Sequence, residues 1–187
     1  MFLKKYNVSI EVKTPFNIAS GEADGYIHKR TVRLKGEPYI PGSTIKGKVR
    51  SNFYKLTLAN HIDGMCDCPV CNIFGGQGYK PSRIYVDDFV LNDTAKDEGQ
   101  CREKKAPVFI KVGNAIDRYK KTAKHEALFI TEMVKPAVFT GTITVYFDED
   151  TLRYKQDLEL AIKMIDSVGN GRSRGYGRVK VYLEEVT

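Results

Sequence analysis

Residues 4–13, Lys4-Lys-Tyr-Asn-Val-Ser-Ile-Glu-Val-Lys13, place apolar side chains at Tyr6, Val8, Ile10 and Val12 with polar ones between them. A period of two is the signature of a strand with one buried and one wet face. Thr14-Pro15 ends the run, because proline has no N–H for the ladder. Further along, Pro41-Gly42-Ser43 opens a segment whose apolar residues Ile45, Val49, Phe53 and Leu56 are spaced four, four and three. That spacing predicts an amphipathic helix over 43–60, with Ser43 as its N-cap. A second strand is expected at 83–91, and a third where Phe139, Ile143, Val145 and Phe147 recur. Leu158, Ala161, Ile162 and Ile165 give one face of a second helix over 150–167, and Val179, Val181 and Leu183 mark a last strand at 178–186.

Residues 108–112 and 128–134 are short β-prone runs around a basic connector, Asp117-Arg-Tyr-Lys-Lys-Thr-Ala-Lys124, and read as a hairpin projecting from the body. With the hairpin set aside the order is βαββαβ. This predicts an α+β protein with a ferredoxin-like or RRM-like arrangement, a four-stranded antiparallel sheet carrying two helices on one face. The 187 residues suffice for one domain, 1–187, with insertions at about 61–78 and 92–134. No apolar run approaches the roughly 20 residues of a membrane span, and the start lacks a signal-peptide pattern, so a soluble, cytoplasmic protein is expected. The net charge of +7 points to an anionic partner without naming it.

Three of the four cysteines fall within six residues, in His61-x4-Cys66-x-Cys68-x2-Cys71, while Cys101 stands alone. An even disulfide framework would be spread out; this cluster provides the soft ligands of a tetrahedral Cys3His zinc site in a reducing compartment. A closed four-ligand shell leaves no position for substrate, so zinc here is expected to be structural. Reduced cysteines beside a surface histidine are the bland alternative. A second signal is Gly169-Asn-Gly-Arg-Ser-Arg-Gly-Tyr-Gly177, in which glycines let backbone amides approach phosphate, Arg172 and Arg174 add charge, and Tyr176 offers a ring for stacking. A third is the helix start, where Ser43, Thr44, Lys46, Lys48 and Arg50 sit by free amides that attract anions. It is no Walker A loop, since Gly42-x4-Gly47-Lys48 is followed by Val49.

Tyr39-Ile-Pro-Gly-Ser-Thr-Ile-Lys-Gly-Lys-Val-Arg50, Arg83-Ile-Tyr-Val-Asp-Asp-Phe89, Lys111-Val-Gly-Asn-Ala-Ile-Asp-Arg118 and the Gly169 to Gly177 loop resemble, in this order, the backbone RAMP subunits of type III CRISPR effector complexes. The Cys/His cluster before Phe74-Gly-Gly is similar to the zinc knuckles of some members. The resemblance implies a subunit that binds CRISPR RNA, self-associates along the guide, and works with complementary target RNA and other effector subunits. It implies that the helix-one N-terminus grips the guide backbone and that a thumb hairpin, 107–134 here, carries Arg118, Lys120 and Lys121 near its tip. Target cleavage in the family uses an aspartate in the loop after strand one, and Gly25-Tyr-Ile-His28 carries histidine there.

Two chemistries stay open at that loop. A carboxylate holds Mg2+ far better than a neutral imidazole, so Asp24 or Glu22 is the alternative metal holder if the chain cleaves RNA. His28 is otherwise a general base or an RNA hydrogen-bond donor. Competing functions are a metal-independent endoribonuclease maturing CRISPR RNA, with Tyr26, His28 and Lys29, and a generic RRM-like RNA-binding domain. The second lacks the RRM aromatic signature.

Overall fold

A computed structural model describes residues 1–21, 23, 25–62, 65–76, 78–92 and 108–186, with only the backbone of 125 and 126. In chain order the elements are β1 (Phe2–Val12), β2 (Arg33–Leu34), β3 (Glu37–Pro38), α1 (Gly42–Thr57), α2 (Pro69–Phe74), β4 (Ile84–Val86) and β5 (Val90–Leu91). They continue with β6 (Val108–Ile116), β7 (Ala123–Val134), β8 (Val138–Phe147), α3 (Glu149–Leu152), α4 (Lys155–Lys163) and β9 (Val179–Val186). The fold is mixed α+β. The main sheet is antiparallel in the order β4-β8-β1-β9, with β5 also on β8, while β6 and β7 form a separate ribbon.

The register explains why the alternating sequences sort as they do. Tyr6 faces Ile143, Ile10 faces Phe139 and Val181, and Val8 faces Leu183, so the apolar residues of three strands share one face. Tyr6, Ile10, Phe139, Ile143, Val145 and Phe147 are wholly buried there. The same core takes Ile45, Val49 and Phe53 of α1 and Leu158, Ala161 and Ile162 of α4. Each such buried aliphatic or phenyl side chain contributes about 1.5–3 kcal/mol of hydrophobic stabilisation. Asn52 Nδ2 donates to the Ala161 carbonyl at 3.0 Å, pinning the two helices together. Among the described residues no helix is long and apolar enough to cross a membrane.

Several boundaries differ from the sequence expectation. Ser43 is not the N-cap: α1 begins at Gly42 with Pro41 as cap and no side-chain cap bond. The Gly42 amide instead donates to Asp88 Oδ1 at 2.8 Å, a carboxylate from another segment that sequence spacing does not link to the helix. The expected strand 83–91 is broken at Asp87-Asp88, because Phe89 leaves the β8 ladder and exchanges reciprocal 2.9 Å backbone bonds with Ile40. The expected helix 150–167 is two pieces. Asp148 starts the first in a capping box with Thr151, and Tyr154, at the break, sets its ring edge-on to Phe53 at 6.1 Å. The hairpin is longer than expected, reaching Ile116 and restarting at Ala123, so the basic connector shortens to a turn. Asp117 Oδ1 accepts from the amides of Tyr119 and Lys120 at 2.9 and 3.0 Å and holds that turn.

Candidate nucleic-acid interface and metal centre

Three segments far apart in sequence meet at a cavity of about 430 Å³. The chain after β1 brings Asn17, His28 and Lys29. The hairpin brings Lys111, Asn114 and Phe129, and the glycine-rich loop brings Asn170, Arg174 and Tyr176. No carboxylate is among the described residues that line it, whereas Lys29, Lys111 and Arg174 are cationic, so its charge suits an anionic ligand. Lys111 Nζ lies 4.0 Å from the centre of the Tyr176 ring, a cation–π contact tying the hairpin to the loop.

Local backbone bonds hold these segments in place. The glycine-rich loop is zipped to residues 14–17: the Gly177 amide donates to the Pro15 carbonyl at 2.9 Å, the Asn170 amide to the Asn17 carbonyl at 2.9 Å, and the Arg178 amide to Thr14 Oγ1 at 2.9 Å. The His28 loop runs along β7. His28 donates its amide to the Ile130 carbonyl at 2.9 Å, and the Ile130 amide donates to His28 Nδ1 at 3.1 Å. Nδ1 is thus an acceptor, and in the neutral ring the proton sits on Nε2, where it serves as a donor. Buried Glu132 anchors the rest of the loop, accepting from the Thr31 amide at 3.0 Å and from Arg33 at 2.6 Å. Around it Asn17 Oδ1, Thr31 Oγ1 and Arg33 Nε are buried with no hydrogen-bond partner among the described residues.

His61, Cys66, Cys68 and Cys71 converge as expected, with one ligand atom from each lying within 4.8 Å of the others. His61 Nδ1 is 3.7 Å from Cys68 Sγ and 3.5 Å from Cys71 Sγ. A tetrahedral metal with Zn–N and Zn–S lengths near 2.0 and 2.3 Å has N···S edges of about 3.6 Å, so this donor set fits such an ion. The loop is shaped for it by α2, where Cys68 caps the helix and Cys71 is wholly buried. Tyr79 buttresses the loop, its hydroxyl accepting from the Cys66 amide at 2.8 Å and donating to the Cys66 carbonyl at 3.1 Å. Backbone hydrogen bonds at Ile62 and Cys68 hold the Cys66 thiol down to about 6, favouring the thiolate that binds metal, while burial pushes the Cys68 thiol up.

The RAMP superfamily model matches residues 9–180. The chain belongs to the RAMP superfamily. Three similar proteins share the name CRISPR system Cms endoribonuclease Csm3. That of Methanocaldococcus jannaschii is 30% identical over 164 residues, covering 78% of this chain and 63% of its own length. That of Mycobacterium tuberculosis is 26% identical, covering 92% and 83%, and that of Streptococcus thermophilus 25%, covering 94% and 85%. The chain thus spans just under two thirds of the first of these relatives.

In this RAMP chain the predicted site residues separate into groups. His28, Arg174 and Tyr176 line the cavity together, and exposed Arg172 beside it pairs with Asp166 at 2.5 Å. Ser43, Thr44, Lys46, Lys48 and Arg50 lie on α1 and are not among its lining residues. Lys46 is half-buried and donates to Ser82 Oγ at 2.7 Å and to the Ile84 carbonyl at 3.2 Å, and burial, then Arg50, lowers its pKa. Arg118, Lys120 and Lys121 are exposed at the hairpin turn, around a Tyr119 side chain that is 99% exposed. Asp24, Glu22, Cys101 and residues 93–107 of the hairpin insertion lie outside the described residues. Sequence reasoning missed Asn17, Lys111, Asn114, Phe129 and Asn170. Lys111, Asn114 and Asn170 lie inside motifs quoted above, but only the register, with Lys111 opposite Thr131 and Gly113 opposite Phe129, shows which hairpin residues share a face.

Proposed function

We propose that this chain is a backbone subunit of a type III CRISPR RNA-guided complex that holds guide RNA across the cavity and presents complementary target RNA to the hairpin. The observation that carries the reading is the convergence of Lys29, Lys111 and Arg174 with the Tyr176 ring in a cavity lined by no carboxylate among the described residues. Cations that neutralise phosphates and an aromatic ring that stacks on bases are the two elements single-stranded RNA recognition needs. The names of the three similar proteins support the CRISPR assignment. The strand order β4-β8-β1-β9, with α1 and α4 in one core, supports the ferredoxin-like reading of the fold. Further copies along the guide and other effector subunits are its expected partners.

His61, Cys66, Cys68 and Cys71 are proposed to hold a structural Zn2+, which when bound fixes a loop too short to build its own core. Target RNA cleavage with Mg2+ is a second reading, favoured by the word endoribonuclease in the relatives' names and by His28 at the cavity edge. The test is to purify the protein with a co-expressed guide and measure guide binding against salt for wild type and for Lys111→Glu with Arg174→Glu. The reading requires weaker binding and a flatter salt slope in the double variant. Unchanged affinity and slope would place the RNA elsewhere. Adding complementary RNA with and without Mg2+ then decides the second reading by the presence of regularly spaced cuts.

A further inference from the structure

We infer that the cavity reads the ribose 2′-hydroxyl of one nucleotide through Asn17 Oδ1, so that this subunit distinguishes RNA from DNA; the inference rests on the RNA-binding reading above. Asn17 lines the cavity, is 2% exposed, and its Oδ1 has no hydrogen-bond partner among the described residues. The orientation of its amide is fixed, because Nδ2 donates to the Glu132 carbonyl at 2.8 Å. An acceptor alone therefore remains. Asparagine reads a base edge by using both amide atoms, one donating and one accepting, and here the donor is already committed. A lone acceptor matches a lone donor, and the sugar hydroxyl is the group of RNA that offers one irrespective of sequence. Leaving such a buried acceptor unpaired is costly, so a ligand that supplies a donor gains more than an ordinary surface bond gives.

Gly113, which the hairpin brings to the same cavity, points the same way. It sits inside β6, facing Phe129 across the ribbon, and a Cβ added there meets nothing within 4 Å. Its backbone conformation needs no glycine, since φ is not positive. A glycine in a strand interior weakens the strand unless something approaches the backbone closely. None of the described residues fills that space, which leaves the backbone there open to a ligand. Lys29 and Arg174 at the same cavity then suit the flanking phosphates.

The experiment uses the full chain and a mixed-sequence single-stranded RNA of about 12 nucleotides. The same sequence with 2′-fluoro sugars keeps an RNA-like pucker but has no hydroxyl donor. Wild type should bind the 2′-fluoro probe about fivefold more weakly than RNA. Asn17→Ala should bind the two probes alike, and Gly113→Val should stay folded, with an unchanged or higher melting temperature, while losing RNA affinity. Equal binding of both probes by wild type overturns the inference without needing any variant to fold, and leaves RNA binding itself intact. Discrimination that survives in a folded Asn17→Ala protein overturns Asn17 as the reader. Failure to bind either probe overturns this inference and the RNA-binding reading together.

Discussion

Replacing Gly177 by alanine should destabilise the protein far more than the same change at Gly175, although both glycines belong to the same loop. Both have left-handed backbones, at φ +64° and +81°, where a Cβ costs about 1–2 kcal/mol. At Gly175 that is the whole penalty, because a Cβ there meets nothing within 4 Å. At Gly177 a Cβ would run into the Val168 carbonyl and come within 3.4 Å of Phe16 Cβ. The neighbouring backbone cannot step aside freely. Gly177 donates to Pro15 and accepts from Val168 at 2.9 and 2.8 Å, and each bond forfeited costs about 1 kcal/mol. The sum is about 3 kcal/mol for Gly177→Ala against about 1 for Gly175→Ala. For a chain of this size that is a fall in Tm of about 6–12 °C against about 2–4 °C. Circular dichroism melts of the two variants measure it. Equal shifts, or a Gly177→Ala protein melting within about 2 °C of wild type, would show that the loop is not held as argued.

Protein purified without chelator should carry close to one zinc per chain, and Cys68→Ser or prolonged chelation should lower both the metal content and the melting temperature; a stoichiometry near zero defeats the assignment. Asp148→Ala should cost about 1 kcal/mol by removing the α3 capping box. The Thr151 hydrogen bonds, then Arg83, hold the Asp148 carboxyl well below its ordinary range. Its contribution is therefore complete above the unfolded aspartate pKa of about 4 and lost as pH falls through the lowered folded value, so the melts of wild type and variant should converge in strong acid. If His28 acts as a donor to RNA, His28→Ala should weaken binding by a few-fold. His28→Asp should then create or raise Mg2+-dependent cutting; robust wild-type cutting in chelator, lost in His28→Ala, would make the imidazole a base instead.

What the sequence made legible of the fold follows from how local the determinant is. β1 and β8 carry strict alternation because each has one face on the core, and α1 repeats Ile45, Val49 and Phe53 for the same reason. Where the determinant is a tertiary contact, reading failed. Ser43 is a good cap residue by type, yet the carboxylate serving the α1 N-terminus is Asp88, 46 residues away. The 83–91 run is continuous in β-propensity, and only the pull of Ile40 on Phe89 divides it. Gly113 and Asn114 are poor strand formers by type, yet pairing with Phe129 and Leu128 keeps them in the ribbon.

The site divides along the same line. The convergence of His61, Cys66, Cys68 and Cys71 is legible because donor side chains within eleven residues need only a short loop to meet. The cavity needs three segments, and its informative residues are ordinary by type: an asparagine after a proline-ended strand, a lysine and a glycine in a hairpin. The glycine-rich loop stands out by composition, but its parts separate by cause. Gly177 is required because backbone crowds it, so its presence says how the loop folds. No backbone crowding of that kind dictates the side chains of Arg174 and Tyr176. Arg174 is an exposed cation and Tyr176 a ring already met by Lys111 from the hairpin. Side chains that no such crowding dictates, gathered from separate segments onto one cationic wall, are the ones the proposed ligand would touch. By that criterion Gly113, with open space above it, belongs with them and Gly177 does not.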